Sequence, residues 1–184
     1  MRLFVALSLP EPLRARLIKL QQGLPGARWV APENLHLTLR FIGEVDGTQA
    51  HDLDAALTQV RAGRFAVTLA GVDRFGQGRK LRALWVGVAP NPALERLYHK
   101  LEQALRAAGL APEGRKFKPH VTLARFKGNP GRRLHDYLSD HAMFRAEAFE
   151  ARDFVLYSSF LSKAGAIHTP EAVYPLTPAA DAAP

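Results

Sequence analysis

Two stretches of the chain resemble each other: WVAPENLHLTLRF at residues 29–41 and FKPHVTLARF at residues 117–126. Each contains a proline shortly before a His-x-Thr-Leu sequence, and the two histidines, His36 and His120, lie 84 residues apart. This separation is far longer than the repeat of a solenoid protein. We interpret the resemblance as an internal duplication that produces two lobes related by an approximate two-fold axis.

Hydrophobic periodicity and helix-ending residues predict the same order of elements around the two stretches. A helix precedes each His-x-Thr strand, and a helix and a long strand follow it. Helices are predicted at residues 11–22, 47–62, 92–108 and 132–141. Strands are predicted at residues 2–9, 27–30, 35–42, 65–75, 83–89, 119–126 and 149–160, with residues 173–176 as a last edge strand.

The composition allows a stable core without disulfide bonds. The chain has 184 residues, of which 47% are hydrophobic, and no cysteine. The lack of cysteine excludes disulfides, thiolate metal sites and cysteine nucleophiles, and it is compatible with a reducing compartment. We expect neither a signal peptide nor a membrane span, which needs roughly 20 consecutive apolar residues. We therefore expect a cytoplasmic protein without membrane association.

The formal net charge of +8 favours a polyanionic partner. On charge alone, a basic protein without such a partner is an equal alternative. The positive charge is clustered, however, because residues 114–133 contain seven basic side chains and no acidic one, and they bracket His120. This clustering favours nucleic acid or another phosphorylated substrate.

Side chains alternate along a strand, so the histidine and the threonine of each motif share one face. The apolar residues between them occupy the other face and belong in a core. Each motif thus presents an imidazole beside a hydroxyl on the face away from its core. If duplicated lobes face each other, the two polar faces line one cleft. The residues predicted to line it are His36, Thr38, His120 and Thr122.

This set of side chains suits the cleavage of a cyclic phosphodiester by water. The reaction needs a base that takes a proton from water and an acid that protonates the leaving ribose oxygen. Histidine titrates near neutrality, so one neutral and one charged imidazole can coexist at pH 7. The threonine hydroxyls can hold the non-bridging phosphate oxygens. Neither a metal nor a cofactor is required.

The two motifs, HLTL at residues 36–39 and HVTLAR at residues 120–125, resemble the two signatures of the two-histidine phosphoesterase superfamily. Within it, the chain resembles the bacterial and archaeal branch called 2'-5' RNA ligase or RNA 2',3'-cyclic phosphodiesterase, the LigT-like family. The similarity covers nearly the whole chain. It runs from MRLFVAL at residues 1–7 to VYPL at residues 173–176, through PENLHLTLRFIGE at residues 32–44 and LWVGV at residues 84–88.

The resemblance implies an α/β (α+β) fold with two pseudo-symmetric lobes, each an antiparallel-rich sheet with helices on its outer face and an active-site cleft between them. It also implies hydrolysis of RNA 2',3'-cyclic phosphate to a 2'-phosphate end, and joining or cleavage of 2'-5' RNA linkages. By motif position, His36 would be the proton donor to the 3' oxygen and His120 the proton acceptor from water. Thr38 and Thr122 would bind the phosphate. The pseudo-symmetry leaves the two histidine roles interchangeable.

Two arginines near the motifs are candidates for substrate binding. Arg40 shares the face of His36 and Thr38 by alternation, so it can reach the phosphate, or it is a solvated arginine. Arg125 has the opposite parity to His120, so alternation points it away from the cleft, although a β-bulge could redirect it.

Phe41 and Lys118 are further candidates for substrate binding. Phe41 is suited to stacking a terminal base, and core packing is its alternative role. Lys118 precedes His120 and is placed to meet the RNA backbone, or it is a solvated charge. The remaining histidines have no motif context and receive no function; they are His51, His99, His135, His141 and His168.

Three other functions remain open at this point. The first is a metal-dependent hydrolase with the histidines as ligands, although each motif lacks a companion ligand at the usual spacing. The second is an RNA-binding domain without catalysis, and the third is a phosphodiesterase that acts on small cyclic nucleotides. For any of these we expect residues 1–176 to form one bilobal, monomeric domain and residues 177–184 to form a disordered tail.

Overall fold

The structure, a computed structural model, describes residues 1–163 and 165–178. Four α-helices and ten β-strands lie in these residues. The helices are α1 (Glu11–Ile18), α2 (Gly47–Thr58), α3 (Pro92–Ala107) and α4 (Arg132–His141). The strands are β1 (Arg2–Ser8), β2 (Ala27–Trp29), β3 (His36–Glu44), β4 (Phe65–Val67), β5 (Leu69–Phe75), β6 (Ala83–Val88), β7 (His120–Phe126), β8 (Phe149–Ala151), β9 (Asp153–Ser162) and β10 (Gly165–Pro175).

Eight strands form one antiparallel sheet. Its strand order is β10-β9-β1-β3-β7-β6-β5, and β2 pairs with the end of β7. The remaining strands, β4 and β8, form a separate antiparallel pair. The large sheet changes from one lobe to the other between β3 and β7, which are the strands that begin with His36 and His120.

The internal duplication is visible in the strand order. The first half of the chain runs β1-α1-β3-α2-β4-β5, and the second runs β6-α3-β7-α4-β8-β9. Each half gives its last long strand to the other lobe, because β5 pairs with β6 and β9 pairs with β1. Two residue pairs lie on the approximate two-fold axis, Leu37 with Val121 and Ala66 with Glu150, and the members of each are 84 residues apart, as are the two histidines. The predicted pair of pseudo-symmetric lobes is confirmed.

The helices cover the face of the sheet on which Leu37 and Val121 are fully buried. All four helices supply leucines to the same core cluster as these two residues. In α3 the buried positions recur every three or four residues, so one side of the helix faces the core. They are Leu94, Leu97, Tyr98, Leu101 and Leu105. Since side chains alternate along a strand, His36 and His120, which directly precede Leu37 and Val121, lie on the opposite face of the sheet.

Several element boundaries differ from the prediction. The strands predicted at residues 65–75 and 149–160 are each divided, because their first three residues pair with each other across the two-fold axis instead of joining the large sheet. The last strand is much longer than predicted, since β10 spans Gly165–Pro175. Its glycine, its two prolines and its exposed edge position remove the alternation that identifies a strand. The helices α1 and α2 end at Ile18 and Thr58, earlier than predicted.

The predicted tail begins one residue too early. Thr177 donates its backbone N–H to the Ala62 carbonyl and accepts from the Arg64 N–H, so it belongs to the folded region. Residues 179–184 of the predicted tail lie outside the described residues. No helix in the described part of the chain is long and apolar enough to cross a membrane.

Candidate active site

The pairing of β3 with β7 brings the two His-x-Thr motifs together. Leu37 is paired in register with Val121. Because the strands are antiparallel, His36 lies towards Thr122 and His120 towards Thr38. Each lobe therefore places its imidazole beside the hydroxyl of the other lobe, on the face that the helices leave free.

His36 is set in an aromatic wall of the first lobe. Its ring stacks on Phe4 of β1 at 4.8 Å between centroids and lies 6.1 Å from the Tyr157 ring of β9. Burial lowers the pKa of His36 to about 4, with smaller contributions of the same sign from His168 and Arg125, while a hydrogen bond with the backbone of Asn34 opposes them. His36 is therefore a neutral imidazole at pH 7.

His120 has an equivalent setting in the second lobe. Its ring meets Phe75 edge-on at 4.9 Å and lies 5.8 Å from the Trp85 ring. Burial lowers the pKa of His120, and Arg125 and Lys118 lower it further. Its Nδ1 lies 2.7 Å from the Lys118 carbonyl oxygen. Since a carbonyl only accepts, Nδ1 donates, and Nε2 keeps the lone pair that a general base needs.

The two threonines have hydroxyls that are free to bind a ligand. Thr38 and Thr122 are partly exposed on the same face as the histidines. Neither side chain makes a hydrogen bond with any of the described residues. Two unpaired hydroxyls beside two imidazoles form a polar site that is suited to an oxyanion such as a phosphate.

A β-bulge in β7 turns Arg125 towards this site. Trp85 pairs with Thr122 and Leu84 pairs with Ala124, so Leu123 is an extra residue on β7. The extra residue reverses the alternation of side chains beyond it. The Leu123 carbonyl accepts hydrogen bonds from the Val30 backbone and the Gln21 side chain. Arg125 is consequently exposed on the cleft face, where its charge lowers the pKa of His36, His120 and His168.

The same bulge occurs in β3 and corrects the prediction for Arg40. Ala6 pairs with Thr38 and Val5 pairs with Arg40, so Leu39 is the extra residue. The bulge moves Arg40 to the core side and Phe41 to the cleft side. The expectation that Arg40 shares a face with His36 is therefore wrong, because it assumed unbroken alternation.

Arg40 instead holds α3 and the following loop against β3. Its side chain is 7% exposed. Its Nε donates to Glu102 Oε2 at 2.6 Å, and its Nη2 donates to the Ala111 carbonyl oxygen at 2.6 Å. Glu113 Oε2 lies 3.6 Å from Nη1. With its donors directed at these partners, Arg40 is not available to a substrate.

Phe41 and Lys118 lie at the mouth of the site, one in each lobe. Phe41 is 46% exposed and its ring lies 6.1 Å from that of Phe4. The Lys118 ammonium lies 4.6 Å above the Trp85 ring. A groove of about 360 Å³ opens beside Lys118 and is lined by Trp85, Asp73 and Gly87. An aromatic ring is thus presented on one side, and a groove bordered by a lysine on the other.

Two residues of the site have no signal in the sequence. Trp85 reads as a core residue of a buried strand, although its ring packs beside His120. His168 lies in the part of β10 that the sequence does not predict as a strand, since only residues 173–176 are predicted. Its ring is 5.2 Å from that of His36. Both positions depend on pairings between strands that are distant in the chain.

No group of three or more histidine, aspartate or glutamate side chains in residues 1–163 and 165–178 has the arrangement of a metal site. The chain contains no cysteine that could add a ligand.

Comparison with known proteins agrees with the class that this fold and site define, a two-lobed protein with a paired His-x-Thr site. A family model described as "2'-5' RNA ligase superfamily" matches residues 9–159. The chain belongs to the 2'-5' RNA ligase superfamily. The predicted family is therefore confirmed.

Individual relatives cover the chain almost completely. A protein of Archaeoglobus fulgidus named RNA 2',3'-cyclic phosphodiesterase is 32% identical over 172 residues, which are 91% of this chain and 96% of that protein. One of the same name from Thermotoga maritima is 32% identical over 174 residues, 91% of each chain. The crystal structure of Escherichia coli LigT complexed with 3'-AMP has a TM-score of 0.79 and 27% identity, and the match covers 96% of this chain and 98% of that one.

Proposed function

We propose that this protein hydrolyses RNA 2',3'-cyclic phosphate ends to 2'-phosphomonoesters by acid–base catalysis with two histidines. The observation that carries the proposal is the joint placement of His36 and Thr38 with His120 and Thr122 on one face of the paired strands β3 and β7. Relatives that match nine-tenths of the chain are named RNA 2',3'-cyclic phosphodiesterase, which supports the reaction class of the proposal.

In the proposed reaction, His120 takes a proton from the attacking water through Nε2. The water oxygen bonds to phosphorus, and the bond between phosphorus and the ribose 3' oxygen breaks. His36 protonates that oxygen, and the phosphate remains on the 2' oxygen. The Thr38 and Thr122 hydroxyls donate to the non-bridging oxygens, where charge develops in the transition state. Arg125 adds a positive charge beside them.

The electrostatics of the cleft fit a substrate that carries a negative charge. Burial and the neighbouring charge of Arg125 lower the pKa of both His36 and His120. A bound phosphodiester places an anion beside them, which favours the charged form of an imidazole. The bound substrate thereby favours protonation of His36, which delivers this proton to the leaving oxygen.

Outside the reacting atoms, Phe41 is placed to stack the base of the terminal nucleotide, and Lys118 is placed to meet a backbone phosphate. Escherichia coli LigT has been crystallised with 3'-AMP, which fits a site that takes a single nucleotide at its centre. The same site accounts for joining or cleaving a 2'-5' linkage, since a ribose hydroxyl then replaces water. We also propose that the protein acts as a monomer in the cytoplasm, and size-exclusion chromatography tests the first of these points.

The decisive experiment is incubation with an oligonucleotide that ends in a 2',3'-cyclic phosphate, with the position of the product phosphate identified. His36→Ala and His120→Ala should each lower kcat by about 10³-fold or more while RNA binding is largely kept. His51→Ala, an exposed position on α2, is the control and should leave the rate unchanged. An unchanged rate in either active-site variant would falsify the two-histidine mechanism.

The same assay separates the competing functions. A 3'-phosphate product would overturn the assignment of proton donor and acceptor and leave the site standing. Activity that survives a strong chelator argues against a metal-dependent hydrolase. A matched reaction with a mononucleotide 2',3'-cyclic phosphate tests the small-nucleotide alternative, for which we expect the lower kcat/KM.

A further inference from the structure

A third imidazole stands in the cleft beside His36. His168 pairs in register with Ser159 of β9, and its ring lies 5.2 Å from the His36 ring and 4.9 Å from the Phe4 ring. Both contacts are edge-on, whereas His36 stacks on Phe4. The two imidazoles therefore share one aromatic support, and His168 extends the wall of the first lobe.

The ring of His168 has no hydrogen-bond partner among the described residues. Its Nδ1 is buried and unpaired. Buried polar atoms in folded proteins nearly always have a partner, and an exception calls for an explanation. The neutral tautomer with its proton on Nε2 avoids burying an unpaired N–H, so the ring keeps one donor that no protein group uses.

Burial and the charge of Arg125 favour the neutral form of His168. Burial lowers the pKa of His168, and Arg125 from β7 lowers it further. Three other titratable or charged groups lie near it: His36 on β3, Tyr157 on β9, which packs on the same Phe4 ring, and Arg2 on β1, which pairs with the same residue of β9, Ser159. None of these is an acid that would hold a proton on His168. A neutral imidazole in this setting is a hydrogen-bond donor and not a counter-ion.

We propose that His168 binds the substrate directly, donating a hydrogen bond from Nε2 to a ribose or phosphate oxygen of the terminal nucleotide that His36 and Thr38 hold. This inference rests on the proposed function. His168 then belongs to the binding surface of the first lobe, across the cleft from Arg125 and Lys118. The contact involves an oxygen that does not react, so it is present in both the bound substrate and the transition state.

A contact of this kind changes KM and leaves kcat nearly constant. His168→Phe keeps the planar ring and removes the donor, so it should raise KM for the cyclic-phosphate oligonucleotide by about tenfold, with kcat unchanged within about threefold. His168→Gln places an amide donor near the position of Nε2 and should restore most of the affinity. His168→Asn places its amide near Nδ1 and should behave like the phenylalanine variant. His135→Phe, at an exposed position of α4, is the control.

Two further readouts separate binding from packing. The Kd of a 2'-phosphorylated product oligonucleotide should rise by about tenfold in His168→Phe and in His168→Asn, in parallel with KM. Thermal melts identify a variant that does not fold. If His168→Phe fails to fold, the difference in KM between His168→Gln and His168→Asn tests the hydrogen bond.

The variants of His168 and those of His36 and His120 test separate claims. Unchanged KM and Kd in His168→Phe, while His36→Ala and His120→Ala are inactive, would overturn the role of His168 alone. A lower kcat with unchanged KM would show that His168 only supports His36. If His36→Ala retains full activity, the two-histidine function itself is wrong.

Discussion

Leu37 of β3 pairs in register with Val121 of β7, and each of these residues directly follows one of the two histidines in the sequence. Both are fully buried on the helix-covered face. The pair therefore lies on the approximate two-fold axis of the molecule and places His36 and His120 on the opposite, open face. The placement of the two histidines on one face follows from the contact between these two apolar side chains.

The unpaired hydroxyls predict the effect of removing each threonine. Thr38→Val and Thr122→Val keep the β-branched shape and should each lower kcat/KM by about 10²-fold, as loss of one donor to a developing negative charge does. Melting temperatures should stay near that of the unmodified protein. Thr169→Val, at an exposed position on β10, serves as the control. A loss of less than about threefold at both positions would contradict phosphate binding by these hydroxyls.

Arg125 should act on binding and on the titration of the histidines without supporting the fold. Arg125→Met should raise KM and reduce the slope of log(kcat/KM) against log(salt) by about one. Removing its charge should also raise the apparent pKa of His36 and His120 in the pH–rate profile. Arg96→Met, at an exposed position on α3, is the matched control. A pH–rate profile identical to that of the unmodified protein would argue against the position of Arg125 on the cleft face.

Arg40 should have the opposite effect, on stability and not on substrate. Arg40→Met leaves Glu102 and Glu113 without the cation that both contact, so the free energy of unfolding should fall by about 3–5 kcal/mol. Urea denaturation measures this loss. Arg40→Met combined with Glu102→Met should recover part of it, because the buried charges are removed together. An Arg40 variant of normal stability but raised KM would restore a role in substrate binding.

The burial of His36 predicts a loss of stability in acid. Its pKa is about 4 in the folded protein against 6.5 for the unperturbed group, so the native state binds fewer protons than the unfolded chain. The contribution to stability is complete above pH 6.5 and is lost as the pH falls towards 4. Linkage gives a loss of order 2 kcal/mol at pH 5. Urea denaturation at pH 7.5 and pH 5 should show a smaller difference for His36→Gln than for the unmodified protein, and equal differences would contradict the lowered pKa.

The repeated unit and its polar side chains could be predicted from local patterns in the sequence. The two His-x-Thr motifs, their apolar partners and their separation were local patterns, since alternation in a strand needs no tertiary information over the first three residues of each motif. Two lobes, one shared cleft and the four residues His36, Thr38, His120 and Thr122 followed from them. The helix and strand order was also predictable, because each element carried its own periodicity.

The side chains that surround these four residues depend instead on how distant strands pair. At Leu39 and Leu123, β3 and β7 each have one residue more than the neighbouring strand with which they pair. The resulting bulges place Phe41 instead of Arg40 on the cleft face and direct Arg125 towards the cleft. The division of the two long strands depends on a pairing across the two-fold axis, and the place of His168 depends on β10 lying beside β9. Strand register is set by contacts between segments far apart in the chain, so no local pattern could supply it.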